Sequence, residues 1–369
     1  MRHKRWIALA VLPALLLAGD FFYWRLAVSH LRDAFETWAR RAEVTGWDIR
    51  HGAVTEGGWP NAATLRVEHL TVRTASIFGH GALSFGSLRL DSMAWGSDAI
   101  LLSTGLARPD ALEVTPVGVN TLRLGDGQPM PVSASHMRLR LTLRPNGSLR
   151  AVDLDAVTLA AEFPGPGKVS VGHLSGHADL KATAGRDQPV ATFSVSARPV
   201  VLPDTMNRGP GNRGPGTEIS EFALEGVLNG PMPSGGFMGG QGFTTQAMSW
   251  RDEGGSLELH RLAIAWGQAR LDATATLALD EELQPMGAGT GKIVGYEAAL
   301  DALAANNVLT RSATKAAKAV LSLLATTPSD GEPAQVEVPL TLQFRTLSVR
   351  QVPLVRLPEF DWPEHQSAF

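Results

Sequence analysis

The chain of 369 residues carries 36 acidic and 33 basic side chains, so its formal net charge is only -3. This near-neutral balance lacks the basic surface that nucleic-acid binding requires. Cysteine is absent, which excludes disulfides, thiolate nucleophiles and cysteine-ligated metal centres. Glycine (38 residues) and proline (23 residues) are abundant, and this favours short strands and turns over long helices.

The N-terminus has the pattern of a membrane anchor. The basic segment 2–5 precedes an apolar run that begins at Trp6, is interrupted by Asp20 and ends at Val28. As a helix this run would be roughly 34 Å long, enough to cross a hydrocarbon core of about 30 Å. Basic residues before the run and most of the chain after it predict a cytoplasmic N-terminus and an external body. We therefore predict a signal-anchor transmembrane helix over residues 1–28.

A cleaved signal peptide is the alternative interpretation of the same segment. The small-residue cleavage pattern around Leu17-Ala18-Gly19 is weak. The residues after the apolar run also continue a helical pattern, because Leu31, Phe35, Trp38 and Ala42 recur on one helix face. This continuity favours a retained anchor that leads into an amphipathic helix over residues 29–45.

Beyond residue 46 the dominant hydrophobic period is two, which indicates strands with one buried face. Turn signals separate the alternating runs. Between Val67 and Leu70 the phase of the alternation changes, which predicts a bulge or a break in the strand. We expect a mainly β fold with large, antiparallel, curved and one-sided sheets. The clearest alternating runs are Leu139–Leu143, Phe193–Ala197, Phe222–Leu228, Leu271–Leu279 and Val336–Phe344.

The rest of the chain predicts one helical segment and one flexible region. Residues 296–325 are rich in alanine and leucine and predict a C-terminal helical segment, which Asn306-Asn307 would divide. A duplicated NRGPG pentad and a second Gly/Pro-rich stretch predict a flexible insertion region over 206–243. The remaining parts are then a first β-rich half, 46–205, and a second β-rich half, 244–369.

Candidate catalytic patterns are weak. His173 and His177 have the i,i+4 spacing of helical metal ligands, but glycine and serine neighbours argue for a strand or turn, and no third ligand is evident. Asp153 and Asp155 would share one strand face, where a solvated edge is the simpler interpretation. A G-x-S-x-G nucleophile motif is missing. We therefore predict no catalytic residue, no cofactor, no metal site and no enzymatic activity.

A glycine- and tryptophan-rich segment follows the amphipathic helix, and with the single N-terminal span it resembles the proteobacterial family called domain of unknown function 2125. The resemblance covers nearly the whole chain, although the NRGPG duplicate looks foreign to the family. The family has no assigned activity, so the resemblance implies a location and a shape and no reaction. The residues that carry the motif, which we predict to be structural, are Gly46, Trp47, Gly52, Gly58, Trp59 and Pro60.

By a weaker likeness at the level of fold, the chain resembles the AsmA-like envelope proteins, whose long amphipathic sheets are linked to lipid traffic. The expected function is that of a non-enzymatic envelope protein, held in the bacterial inner membrane with its body in the periplasm, that binds lipid on an apolar sheet face. One alternative is a structural protein that binds another envelope protein. A remote alternative is an envelope glycan or lipid hydrolase. Nucleic acid is not an expected partner.

Overall fold

The computed structural model of the protein describes residues 2–44, 47–60, 62–76, 79–92, 111–125, 127–144, 148–164, 167–185, 188–206, 215–231, 243–306, 309–325, 335–350, 352–360 and 362. The described helices are α1 (Arg2–Val44), α2 (Phe243–Asp252), α3 (Tyr296–Ala305) and α4 (Arg311–Leu324), with a 3-10 turn at Asp204–Met206. The described strands are β1 (Asp48–Arg50), β2 (Val54–Gly57), β3 (Ala63–Ser76), β4 (Gly79–Ser92), β5 (Ala111–Leu124), β6 (Met130–Ser133), β7 (His136–Leu143), β8 (Leu149–Phe163), β9 (Gly167–Leu180), β10 (Pro189–Val201), β11 (Glu218–Asn229), β12 (Ser256–Trp266), β13 (Ala269–Leu279), β14 (Pro285–Val294), β15 (Gln335–Gln343), β16 (Thr346–Val349) and β17 (Val352–Arg356).

These seventeen strands form one antiparallel sheet. From β2 to β5 and from β7 to β17 each strand pairs with the next one along the chain. β1 and β2 lie end to end along β3, and β6 and β7 likewise lie between β5 and β8. The prediction of a large antiparallel, mainly β fold is confirmed.

Helices cover one face of this sheet at two places. At β1–β5 the C-terminal half of α1 packs on Leu65 and Val67, which have 0 % solvent exposure. At β14–β17, α3 and α4 pack on Val336 and Val338, which are also 0 % exposed. The described residues therefore form two hydrophobic cores, and strands β7–β13 connect them.

Helix α1 joins the first core through one stripe of side chains. Leu31 and Phe35 are buried in this stripe, as predicted, together with Ala39 and Ala42. Trp38, predicted to lie on the same face, is instead 40 % exposed. Ala39 is four residues after Phe35 and stays within the stripe, whereas a residue three positions after Phe35 falls at its margin.

The predicted change of phase in β3 is confirmed as a local break in the regular strand, since the register with β4 is the same on both sides of it. Glu68 pairs with Ser87 and Leu70 pairs with Phe85, while His69 between them has a positive φ of 50°. This conformation, which costs energy for a residue with a side chain, returns Leu70 to the face that holds Val67. Both residues consequently belong to the first core.

Two further predictions need correction. The last strand run was expected to reach Phe344, but β15 ends at Gln343, and Phe344 is 83 % exposed. Phe344 and Arg345 have positive φ values of 49° and 62°, because they form the two-residue turn into β16. The expected flexible region 206–243 contains β11, which pairs with β10 on one side and with β12 on the other. Its Gly/Pro-rich stretches, 207–214 and 232–242, lie outside the described residues.

The C-terminal helical segment is a pair of helices, α3 and α4. Within the part of the chain that the structure describes, no helix combines the length and the apolar character that a membrane-spanning segment requires.

Candidate functional site

The glycine and tryptophan motif lies where α1 meets the first strands. Trp47 packs against the first core, and its main-chain N–H donates to the carbonyl oxygen of Ala42 at the end of α1, at 3.0 Å. Gly52 lies in the gap between β1 and β2, where its N–H donates to the Glu68 oxygen at 2.7 Å. A Cβ at Gly52 would lie only 3.1 Å from that oxygen, so the close approach favours glycine. Gly46 lies outside the described residues.

The second part of the motif forms the turn between β2 and β3. Gly58 has a φ of 93°, and a Cβ there would lie 2.5 Å from the carbonyl oxygen of Ala62. Only glycine fits this position without moving the backbone. The turn presents the indole ring of Trp59, which is 44 % exposed, and the exposed Pro60 follows it.

Strands β7–β13 present two continuous rows of apolar residues on the face that the helices cover elsewhere. Members of each row lie directly opposite one another on successive strands. We call these two rows the apolar strip. The first row is Leu139, Leu154, Gly176, Val195, Leu224, Leu262 and Ala273, and the second is Leu141, Val152, Ala178, Phe193, Gly226, Leu259 and Ala275.

The apolar strip continues into both helix-covered cores. At one end Leu139 lies opposite Val114, which packs on the first core. At the other end the rows pass through β14 to Val338 and Leu340 of the second core. Strand spacing of about 4.8 Å gives the strip a length of roughly 29 Å across β7–β13.

Most side chains of the apolar strip are half-buried. They are more exposed than the side chains of the two cores. Of the described helices, α1 packs on β1 and β3, while α3 and α4 pack on β13, β15 and β17. Helix α2 lies at the end of β11, where the Trp250 indole N–H donates to the carbonyl oxygen of Asn229 at 2.8 Å. A sheet face of this kind is stabilised when another apolar surface covers it.

Glycines permit a close approach of two strands at the end of the strip. Gly287, Gly289 and Gly291 of β14 occupy the apolar face, opposite Leu277, Ala275 and Ala273. A Cβ at Gly289 would collide with the carbonyl oxygen of Thr274 on β13. The main chain of β13 therefore approaches β14 at Gly289 more closely than a side chain there would allow.

The opposite face of the same strands is polar and charged. Arg140, Asp153, His177, Ser194, Glu225 and Arg261 form one row of directly opposing residues across β7–β12. Arg261 pairs with Glu221 at 3.1 Å and with Glu225 at 3.4 Å. A depression of about 410 Å³ on this face is lined mainly by polar side chains, including Asp153, Ser175, His177, Ser196, Arg198 and Arg261.

Histidines and aspartates that are separate in the sequence come together beside this depression. His177 Nδ1 lies 2.7 Å from an Asp153 carboxylate oxygen, and its Nε2 lies 3.0 Å from Asp179. His173 Nε2 lies 2.7 Å from Asp155. Hydrogen bonds to Asp179 and then to Asp153 raise the pKa of His177.

This cluster is poorly arranged for general-base catalysis. A general base needs a free ring nitrogen, whereas both nitrogens of His177 contact carboxylates that favour the protonated ring. β9 pairs on both sides, so the main-chain N–H groups around His177 serve the sheet and do not form an oxyanion hole. Among the described residues, no group of three or more His, Asp or Glu side chains is placed to hold a metal ion.

From the sequence, the pairs His173/His177 and Asp153/Asp155 were interpreted separately, and their hydrogen bonds to each other were not predicted. The signal was present, because both pairs have the two- or four-residue spacing that puts side chains on one strand face. What the sequence lacks is the register of β8 against β9, which places Asp153 directly opposite His177.

Comparison with known proteins gives one match. The model of the family described as "Uncharacterized protein conserved in bacteria (DUF2125)" matches residues 24–358. Neither a curated protein nor a solved structure matches the chain.

Proposed function

The chain belongs to the DUF2125 family of uncharacterised bacterial proteins, and we propose that it is a non-enzymatic envelope protein that binds lipid or a lipid-like ligand on its apolar strip. In this proposal the N-terminal part of α1 anchors the protein in the bacterial inner membrane, with the N-terminus in the cytoplasm and the body in the periplasm. The observation that carries the proposal is the unbroken pair of apolar rows between two helix-covered cores.

The dimensions of the strip suit an acyl chain. One leaflet contributes about half of a hydrocarbon core of about 30 Å, so an acyl chain in a bilayer extends roughly 15 Å. The strip is about twice as long, and its rows present methyl, methylene and phenyl groups without a charged side chain. Burial of such a surface by an acyl chain is favourable at roughly 25 cal/mol per Å² of apolar surface.

The anchor part of the proposal rests on the sequence of α1. Residues 6–19 lack a charged side chain and follow the basic segment 2–5. In the structure α1 continues from this segment to Val44 and docks on the first core through Leu31 and Phe35. A retained helix would therefore hold one end of the sheet near the membrane surface.

The polar face supports a non-enzymatic role over the hydrolase alternative. His177 is engaged by two carboxylates, and the nearby serines Ser175 and Ser196 hydrogen-bond to each other at 2.8 Å. A serine nucleophile would require a hydroxyl that donates to a neutral histidine.

Site-specific photocrosslinking in intact cells tests lipid binding. A photoreactive phenylalanine analogue at Leu224 places the probe in the apolar strip, and the same analogue at Glu225 places it on the polar face of the same strand. We expect lipid adducts from position 224 and none from position 225. Protein adducts from position 224 without lipid adducts would favour the envelope-protein-binding alternative and contradict lipid binding.

A further inference from the structure

The turn between β2 and β3 is fastened to α1 next to Asp20, the residue that interrupts the apolar run. The Trp24 indole N–H donates to the carbonyl oxygen of Gly57 at 3.1 Å, and the Trp59 indole N–H donates to an Asp20 carboxylate oxygen at 3.1 Å. Glu56 forms ion pairs with Arg25 and, at 3.2 Å, with Arg32. These contacts hold Trp59 level with the helical turn that contains Asp20.

The fastened turn and the helix together expose a group of large apolar side chains. Phe22 is 78 % exposed, Leu17 57 %, Phe21 48 % and Trp59 44 %. The Phe21 ring meets the edge of Trp59 with centroids 6.0 Å apart, and it lies 5.4 Å from Trp24. We call Leu17, Phe21, Phe22 and Trp59 the aromatic patch. A contiguous apolar patch of this kind is unusual on a surface that faces only water.

We propose that the aromatic patch is a second membrane contact, in which Trp59 of the folded body inserts into the headgroup region of the bilayer beside Phe21 and Phe22. This inference rests on the proposed anchoring by α1. Continuity identifies the occupant as lipid, because Leu17 belongs to the apolar run that precedes Asp20. Tryptophan is favoured at membrane interfaces, where its ring is apolar and its N–H finds a polar partner, here Asp20.

The charges around the patch indicate what kind of lipid surface it fits. The negative charges of Glu56 and Asp20 together balance the positive charges of Arg25 and Arg32, so the turn and the adjoining part of α1 do not present unbalanced positive charge. Binding through the patch therefore depends on apolar insertion and not on attraction to anionic lipid. We expect the same depth of insertion in zwitterionic and in anionic membranes.

A second membrane contact would fix the orientation of the sheet. The helix alone leaves the body free to rotate and tilt about one attachment, whereas Trp59 adds a contact on the turn that leads into β3 at Ala63. The β3–β5 ends near Ala63 then face the bilayer. The opposite ends of the same strands, which are 14 residues long, lie about 45 Å farther out.

The absence of native cysteine allows single-cysteine labelling of the full chain. Three variants each carry one environment-sensitive fluorophore, at Leu17→Cys, Trp59→Cys or Gln128→Cys. Each labelled protein is reconstituted in phosphatidylcholine vesicles that contain brominated lipid. Gln128 is the matched control, because it is exposed and follows β5 at the end of that strand remote from Ala63. We expect brominated lipid to quench the fluorescence of the label at position 17 strongly and that of the label at position 128 little. The label at position 59 should be quenched several-fold more than the label at position 128.

The outcomes separate the two proposals. Quenching at 17 with no difference between 59 and 128 would overturn the aromatic contact and leave the anchor intact. A lack of quenching at all three positions would overturn the anchor as well. Quenching at 59 that appears only when the vesicles contain anionic phosphatidylglycerol would overturn apolar insertion as its basis.

Discussion

His177 on β9 lies directly opposite Asp153 on β8, and its second ring nitrogen contacts Asp179 two residues along the same strand. These hydrogen bonds raise the pKa of His177, so we expect an NMR titration of its ring protons to have a midpoint above the ordinary value of about 6.5. The variant Asp179→Asn should lower this midpoint, and so should Asp153→Asn.

The sign of the linked stability effect follows from the raised pKa of His177. The favourable contribution is fully present below the pKa of the unfolded chain and is lost as the pH rises through the higher pKa of the folded protein. The effect should be small because the ring is largely exposed to solvent. Asp252→Asn removes a carboxylate from α2 and serves as the control. An unchanged midpoint in both Asp153→Asn and Asp179→Asn would refute the assignment.

The close approach of β13 to Gly289 of β14 gives a second prediction. Gly289→Ala would place a methyl group against the carbonyl oxygen of Thr274 and 2.8 Å from the Cβ of Ala275. Main-chain atoms in a paired strand cannot yield easily, so we expect a loss of about 1–3 kcal/mol in the free energy of unfolding. Urea denaturation followed by circular dichroism measures this loss.

Gly291→Ala is the matched control for that variant, since both glycines lie on the same face of β14. Its new methyl would approach only side chains, that of Leu340 at 3.1 Å and that of Leu271 at 3.8 Å, and a side chain can move aside. We expect a smaller loss, or a small gain from the reduced entropy of the unfolded chain. Equal losses in the two variants would show that the stability of this part of the sheet does not depend on the close approach of β13 to Gly289.

The sequence predicts most strands because hydrophobic alternation is strong wherever one face is buried. The run Leu271–Leu279 lies within β13, and the phase change between Val67 and Leu70 is a local signal of the positive φ at His69. The positions of Trp38 and Phe344 were predicted wrongly for different reasons. A bulky apolar residue at the margin of a helical stripe looks like a core residue, and a turn residue that continues an alternating run looks like strand.

The candidate sites are harder to predict because they depend on register between strands. The apolar strip needs seven strands to align their apolar faces, and each alignment is set by side-chain packing over the whole sheet. The contact of Trp59 with Asp20 likewise joins residues 39 positions apart. Neither relationship produces a periodic pattern in the sequence, although the glycines that permit the two arrangements can be recognised.

A third prediction concerns two leucines on neighbouring strands at the first core. Leu70 on β3 is 1 % exposed, whereas Leu83 on β4 is 45 % exposed. Leu70→Ala should lower the free energy of unfolding by about 2–5 kcal/mol, because it removes buried methyl groups and leaves a cavity. Leu83→Ala should cost less than about 1 kcal/mol. Similar losses for the two variants in thermal or urea unfolding would argue against α1 covering this end of the sheet.

The N-terminus of α4 gives the last prediction. Thr310 precedes the helix in an extended conformation, and its hydroxyl accepts a hydrogen bond from the Ala313 N–H at 3.1 Å. Thr310→Ala should lower the free energy of unfolding by about 1 kcal/mol, because that N–H loses its side-chain acceptor. Thr310→Asn should restore most of the loss, since asparagine is also a good N-cap. Because Leu321 of α4 packs on the second core, frayed α4 should also increase amide exchange in β15 and β17. Faster exchange confined to the first turn of α4 would show that the helix start and the core are uncoupled.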